Sequence, residues 1–200
     1  MQIDSESSGK TRASLISRAK NRQPDAWSEL VDLYGPLVAH WCARCGMDSH
    51  TTADCVQEVF SSVSRSLDRF TAQRASGAFR AWLWVIASNK IKDEWRRRSR
   101  NVQAVGGSTA LGALQNQPDG ASVPDDEPSS SFEMKRLVAR GLEQIKAEFE
   151  VRTWLIFERS VVDSLSTEAV ATEFGVSPSA VRQIRSRVLR RLRKQLGDDL

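Results

Sequence analysis

The stretch Ser164–Leu196, SLSTEAVATEFGVSPSAVRQIRSRVLRRLRKQL, decides how this chain is read. Ser166 is a good N-cap, and Glu168 stands in the first turn, where the helix dipole favours an anion. Gly175 follows Phe174 where a helix must stop, because glycine adopts the left-handed conformation cheaply. Ser177 then caps a second helix, with Pro178 at its first position, where the missing N–H costs nothing. Ala171 falls where two helices would cross closely. Val170, Phe174, Val176, Val181 and Ile184 supply a small core. Seven basic residues follow Val176 (Arg182, Arg185, Arg187, Arg190, Arg191, Arg193 and Lys194), with no acid up to Leu196. A helix-turn-helix whose second helix carries such charge suits a groove of duplex DNA. A solvated basic face on a helical hairpin is the plainer alternative.

Outward from this motif, charge is laid out in blocks. Residues 1–100 carry 16 Lys/Arg against 11 Asp/Glu, residues 101–134 carry none against 5, and residues 135–200 carry 13 against 9. Two basic blocks around an acidic strip imply two nucleic-acid contacts rather than one diffuse patch. No apolar run reaches the length of a membrane span, and the N-terminus lacks an apolar signal core. Three cysteines argue against a disulfide framework, so a reducing cytoplasm is expected.

From Asp25, Trp27, Leu30, Val31, Tyr34, Val38, Trp41, Cys42 and Cys45 follow helical spacing. Gly35-Pro36 is expected to kink or divide that helix, and Gly46 to end it. A second helix is expected from about Thr52, with Ala53, Val56, Phe60, Val63 and Leu67 inward. Residues 68–78 read as a polar loop. A third helix is expected over 78–98, with Phe79, Trp82, Leu83 and Ile86 inward. Residues 101–132 hold four Gly, three Pro and five Ser, a linker composition. Periodicity returns near Phe132 with Met134, Leu137, Val138, Leu142 and Ile145. The expected fold is all-α: two small helical bundles (12–100 and 133–197) joined by a flexible acidic linker (101–132), the second containing the helix-turn-helix.

Asp54, Gln57, Glu58 and Ser61 recur at i, i+3, i+4 and i+7, forming one polar stripe. Such a stripe can clamp arginines of a partner helix, or be merely solvated. The third helix ends in Lys90, Lys92, Arg96, Arg97, Arg98 and Arg100, with Trp84 and Trp95 interleaved, a pattern suited to single-stranded nucleic acid. Trp82 is expected in the core. His40, Cys42, Cys45, His50 and Cys55 raise a zinc reading, but Cys42 and Cys45 match a buried helix face and a second ligand pair is missing, so no metal or other cofactor is expected. Phosphate-loop, zinc-hydrolase and Gly-x-Ser-x-Gly signatures are absent, and no catalytic residue is assigned.

Ala53-Asp54-Cys55-Val56-Gln57-Glu58-Val59-Phe60, then Phe79-Arg80-Ala81-Trp82-Leu83, Asn89 and the basic tail, resemble sigma domain two. The segment from Phe149 to Leu196 resembles sigma domain four. Together they resemble the extracytoplasmic-function group of bacterial sigma factors, with phrases such as VRTWLIFERSVV similar to planctomycete members. The resemblance covers about residues 12–100 and 135–196.

The resemblance implies a non-enzymatic initiation subunit. Asp54, Gln57, Glu58 and Ser61 would face the clamp coiled coil of the polymerase largest subunit. Arg74, Asn89, Lys90, Lys92, Arg96 and Arg97 would hold the minus-ten element, with a base captured by the 68–78 loop. Ser179, Arg182, Gln183, Ser186 and Arg187 would read the minus-thirty-five element. Apolar residues of the preceding helices would dock the flap of the second-largest subunit, and an anti-sigma factor is a possible further partner. Ile184 stands where many relatives carry a basic residue, and Cys55 where an aliphatic one is usual. The rival is a helix-turn-helix repressor or activator independent of core polymerase.

Overall fold

The computed structural model describes residues 14–71, 78–105, 123–124 and 131–196. These residues form helices, one short 3-10 turn and connecting segments, with no strand among them. Helices are numbered here as α1 (Leu15–Lys20), α2 (Pro24–Arg44), α3 (Ser49–Ser66), α4 (Ala78–Val105), α5 (Ser131–Lys146), α6 (Val151–Val161), α7 (Thr167–Phe174) and α8 (Pro178–Gln195). The 3-10 turn Leu67–Arg69 follows α3.

Helix α2 runs unbroken from Pro24 to Arg44, so Gly35-Pro36 does not divide it. Pro36 lies on the exposed side, where water can serve the carbonyl one turn back that loses its amide partner. Leu30, Tyr34, Val38, Trp41, Cys42 and Cys45 are buried as their spacing requires, and Trp27 and Val31 are half-buried. Leu33 and Leu37 are buried too, on a second side of the helix.

Helix α3 starts earlier than its apolar pattern suggests. Asp48 is the cap, accepting from Thr51 N at 2.9 Å, and starts the helix at Ser49. Its inward face is Cys55, Val59, Phe60 and Val63, with Val56 half-buried and Ala53 exposed. In α4 the innermost residues are Phe79, Leu83, Trp84, Ala87 and Ile91, whereas Trp82 and Ile86 are half-buried. Tyr34 and Phe79 meet edge-on at 4.9 Å, and Trp41 and Trp84 at 5.3 Å, locking α2 to α4.

The second set of helices carries the expected motif. Ser166 accepts from Ala169 N at 3.1 Å, and Ser177 from Ala180 N at 3.2 Å. Gly175 has φ +61°, and Val176 N donates back to Ala171 O at 3.0 Å, closing α7. Ile156, Val170, Ala171 and Val181 form the motif's own core, with Phe174, Val176 and Ile184 against it. Ile184 is therefore a packing residue. A basic side chain there would face this core.

The two sets of helices are not apart. Helix α5 lies along α2, and the end of α8 reaches α1, so one continuous apolar cluster runs from Leu15 through Tyr34 and Leu137 to Leu196. Val123 is buried in the same cluster. Apart from Val123 and Pro124, residues 106–130 between α4 and α5 lie outside the described residues.

Candidate functional site

The stripe on α3 is a surface. Asp54, Gln57, Glu58 and Ser61 are all exposed, because Cys55, Val59 and Phe60 turn the opposite face inward. They line one wall of a groove of about 380 Å³, and Lys90, Asp93, Glu94 and Arg97 of α4 line the other. Lys90 Nζ lies 3.4 Å from Glu58, and His50 Nδ1 lies 3.4 Å from Asp54. Arg65 donates to Ser61 Oγ at 2.9 Å. The start of α3 is tied to α4 by Arg98, which donates to Asp48 at 2.7 Å and also to Thr51. The Thr51 amide and Arg98 hold the Asp48 carboxyl well below the usual carboxylate range.

Helix α4 divides its polar residues between two faces. Lys90 and Arg97 belong to the α3 groove. Trp82, Val85, Asn89, Lys92 and Arg96, at helical spacing, make a separate outward stripe. The aromatic on that stripe is Trp82, stacked at 5.0 Å on Phe70 and 5.7 Å from Phe79. Trp84 is buried against Trp41 and offers no stacking surface, contrary to its place among the interleaved aromatics. Trp95 is half-buried and carries the Arg98 guanidinium over its ring at 5.7 Å. Arg96 pairs with Asp93 at 3.1 Å and Arg97 with Glu94 at 2.8 Å. Arg74 lies outside the described residues.

On α8, Ser179, Arg182, Gln183, Ser186 and Arg187 are all exposed on neighbouring turns. Ser179 Oγ sits 2.8 Å from the capping Ser177 hydroxyl, and Arg187 stacks over Phe149 at 5.7 Å. Among the described residues, Arg182, Arg185, Arg187, Arg190 and Arg193 make no ion pair. Arg191 differs from this set. It is buried and donates to Glu148 at 2.6 and 2.8 Å and to Gln195 at 2.9 Å, so its charge fastens α8 to the end of α5. Arginine spacing alone does not single out Arg191; its place beside Val188 and Leu192 on the apolar face does.

Helix α6 exposes Val151 and Leu155, and Val162 just past its end is exposed too, an apolar stripe preceding the motif. Arg159 links α6 to α7 by pairing with Glu173 at 3.0 Å. Cys42, Cys45 and Cys55 are free and buried, and the Cys42 thiol is pushed far up by its hydrogen bond to Cys55 and by burial. Among the described residues no group of three or more His, Cys, Asp or Glu is placed to hold a metal ion, and no helix is long and apolar enough to cross a membrane.

Comparison with known proteins finds a family match in two parts of the chain. The family described as Sigma-70 region 2 matches residues 30–101, and Sigma-70, region 4 matches residues 150–194. The sigma factor CarQ of Myxococcus xanthus is 27% identical over 183 residues, covering 92% of this chain and 96% of the relative. The ECF sigma factor SigW of Bacillus subtilis is 25% identical over 186 residues, 92% of this chain and 95% of its own length. SigL of Mycobacterium tuberculosis is 29% identical over 185 residues, 92% and 96% of the two chains. A solved structure of CnrH in complex with the cytosolic domain of CnrY matches at 22% identity with a TM-score of 0.36, covering 93% of this chain and 97% of that one. Both sigma regions occur in chain order, and these three relatives match over nearly their whole length. The chain thus belongs to the extracytoplasmic-function sigma factors, the subunits that direct RNA polymerase to promoters.

Proposed function

We propose that residues 12–100 grip core polymerase and the minus-ten element, that residues 133–197 read the minus-thirty-five element, and that 101–132 tether them. The observation that carries this is the pairing, in one chain, of an exposed acidic stripe on α3 with an arginine face on α8 that makes no ion pair among the described residues. Asp54, Gln57, Glu58 and Ser61 offer carboxylates and an amide to a basic coiled coil, the chemistry of the largest-subunit clamp. Lys90 and Arg97 form the opposite wall of that groove, so they orient the acids and border the strand. Asn89, Lys92 and Arg96 line the outward path beside Trp82, the aromatic available to an unstacked base. Arg182, Gln183, Ser186 and Arg187 present bidentate and hydroxyl donors to base edges and phosphates. Val151, Leu155 and Val162 give the flap of the second-largest subunit an apolar seat. The protein acts in the cytoplasm, without catalysis of its own, and an anti-sigma factor would compete for these same faces.

Run-off transcription with purified core polymerase tests the reading. Initiation at defined promoters is expected only when this chain is added. Asp54→Lys with Glu58→Lys should abolish co-elution with core while the far-ultraviolet helical signal is kept. Undiminished core binding by that variant removes α3 from the interface. Tight binding to a palindromic operator by a dimer, without core, would favour the repressor reading.

A further inference from the structure

Two of the three thiols touch across a helix pair. Cys42 of α2 donates its S–H to the sulfur of Cys55 on α3, thirteen residues later in the chain. Helices α2 and α3 pack directly on one another, and both sulfurs lie in the core between them. Cys45, one turn beyond Cys42, is buried as well. A buried cysteine is ordinarily a small apolar filler. The surroundings of Cys55 set it apart.

Cys55 has two sides. Inward it meets Cys42, which is fully buried behind it. Outward it lines the groove of about 380 Å³ between α3 and α4, together with Thr51, Asp54, Glu58, Lys90 and Glu94. Asp54 and Glu58 are exposed, so a solute little larger than water can enter between the walls. The hydrogen bond from Cys42 brings the Cys55 thiol below its ordinary value, against burial and the Glu58 and Glu94 carboxylates, and Lys90 assists. The same bond, with burial, pushes Cys42 up, and burial pushes Cys45 up. Thiolate character, which makes a thiol an oxidant's target, therefore gathers at the sulfur that borders the groove.

We infer that Cys55 is a peroxide-reactive thiol, that Cys42 resolves it into an internal disulfide stapling α2 to α3, and that the staple weakens the hold of the α3 face on core polymerase. That last effect rests on the polymerase contact proposed for Asp54 and Glu58. In the first step the Cys55 sulfur attacks hydrogen peroxide. An S–O bond forms, the O–O bond breaks, and the departing oxygen leaves as water with the thiol proton, giving a sulfenic acid. In the second step the Cys42 sulfur attacks the Cys55 sulfur. An S–S bond forms, the S–O bond breaks, and hydroxide leaves as water with the Cys42 proton. The two sulfurs lose two electrons and the peroxide gains them. The sulfurs must close from hydrogen-bond separation to bonding distance. Cys55 is thereby drawn toward α2, and its neighbour Asp54, with Glu58 on the next turn, moves with the α3 backbone. Charge-assisted contacts to a partner helix are sensitive to such a displacement.

The test treats the full chain with a few equivalents of hydrogen peroxide, alkylates it and digests it without reduction. A linked Cys42–Cys55 peptide pair is expected by mass spectrometry, with Cys45 alkylated as a free thiol. Dithiothreitol should restore all three thiols. Cys42→Ala should stop at a Cys55 sulfenic acid, captured by dimedone, and Cys45→Ala should still form the disulfide. Co-elution of the oxidised chain with core polymerase should fall several-fold and recover on reduction. Three free thiols after peroxide, or a disulfide through Cys45, overturn the inference, and the mapping of the unsubstituted chain needs no variant to fold. Undiminished core binding by the disulfide-linked chain overturns the coupling to α3. A reduced chain that never binds core sinks the polymerase reading instead, and the mapped disulfide stands without it.

Discussion

The two basic helices spend their charge differently. On α4, Arg96, Arg97 and Arg98 are each paired with an acid on the same helix or at the cap of α3. On α8, five arginines have no ion pair among the described residues, and only Arg191 is committed to the fold. Paired charge keeps its orientation but gains little from a phosphate, since it must first share or leave its carboxylate. Unpaired charge releases counterions in full when it meets DNA. In the proposed function, α4 thus supplies shape and a defined path, and α8 electrostatic grip with base readout superimposed.

The sharpest way to break this contrast is Arg191→Ala. If Arg191 belongs to the fold, its loss strands Glu148 and Gln195 and costs about 3 kcal/mol of stability, read as a lowered melting temperature. A variant with unchanged melting and weakened DNA binding would return Arg191 to the grip. Next come Arg182→Ala and Arg187→Ala, each expected to cost about 1–3 kcal/mol in use of the upstream element, measured by transcription from promoters with and without it. Equal loss on both promoters would move base reading elsewhere. Gly175→Ala places a side chain at φ +61° and should cost about 1 kcal/mol of stability. The smallest effect separates the helices directly. Arg190→Ala should lower the salt slope of holoenzyme binding by about 0.9, and Arg96→Ala, already paired with Asp93, by less.

Acid provides a further handle on the contact of α1 with α2. Hydrogen bonding from Arg18 holds the Glu29 carboxyl below its ordinary value, against the opposing effect of burial. Arg191, Glu148 and Asp25 are the other charges acting on this pair. A depressed carboxyl contributes stability above its unfolded value and loses it as pH falls through the folded one. The melting temperature should therefore hold at neutral pH and decline below the ordinary carboxylate range. A Glu29→Gln chain should show a smaller decline over that window.

Much of this was legible in the residues. The motif from Ser166 to Leu196 declares itself through two caps, a glycine and a proline, all local chemistry. The α3 stripe was legible because exposure alternates with burial at helical spacing. Local rules failed where a tertiary partner decided the outcome. Pro36 reads as a kink or a break because the sequence alone does not show the solvent on the outer side of α2. Trp84 looked like a stacking aromatic because Trp41 lies far away in sequence. The start of α3 was set by Asp48, a cap preceding any apolar repeat. Leu33 and Leu37 lay off the first stripe of α2. A helix that is apolar on a second side implies a second covering layer, and here that layer is α5.

Gly141 gives the contact of α5 with α8 a mechanical meaning. A Cβ at this position would stand 2.9 Å from Leu192 and 3.1 Å from Leu196. The backbone of helix α5 therefore seats the Leu192 and Leu196 side chains at the tail of α8 directly, closer than any other residue would permit. Two helices meshed at that distance cannot slide independently. Displacing α5 carries the far end of α8 with it, as a short crank turns a long arm. A side chain at Gly141 would push Leu192 and Leu196 away and put play into that gear.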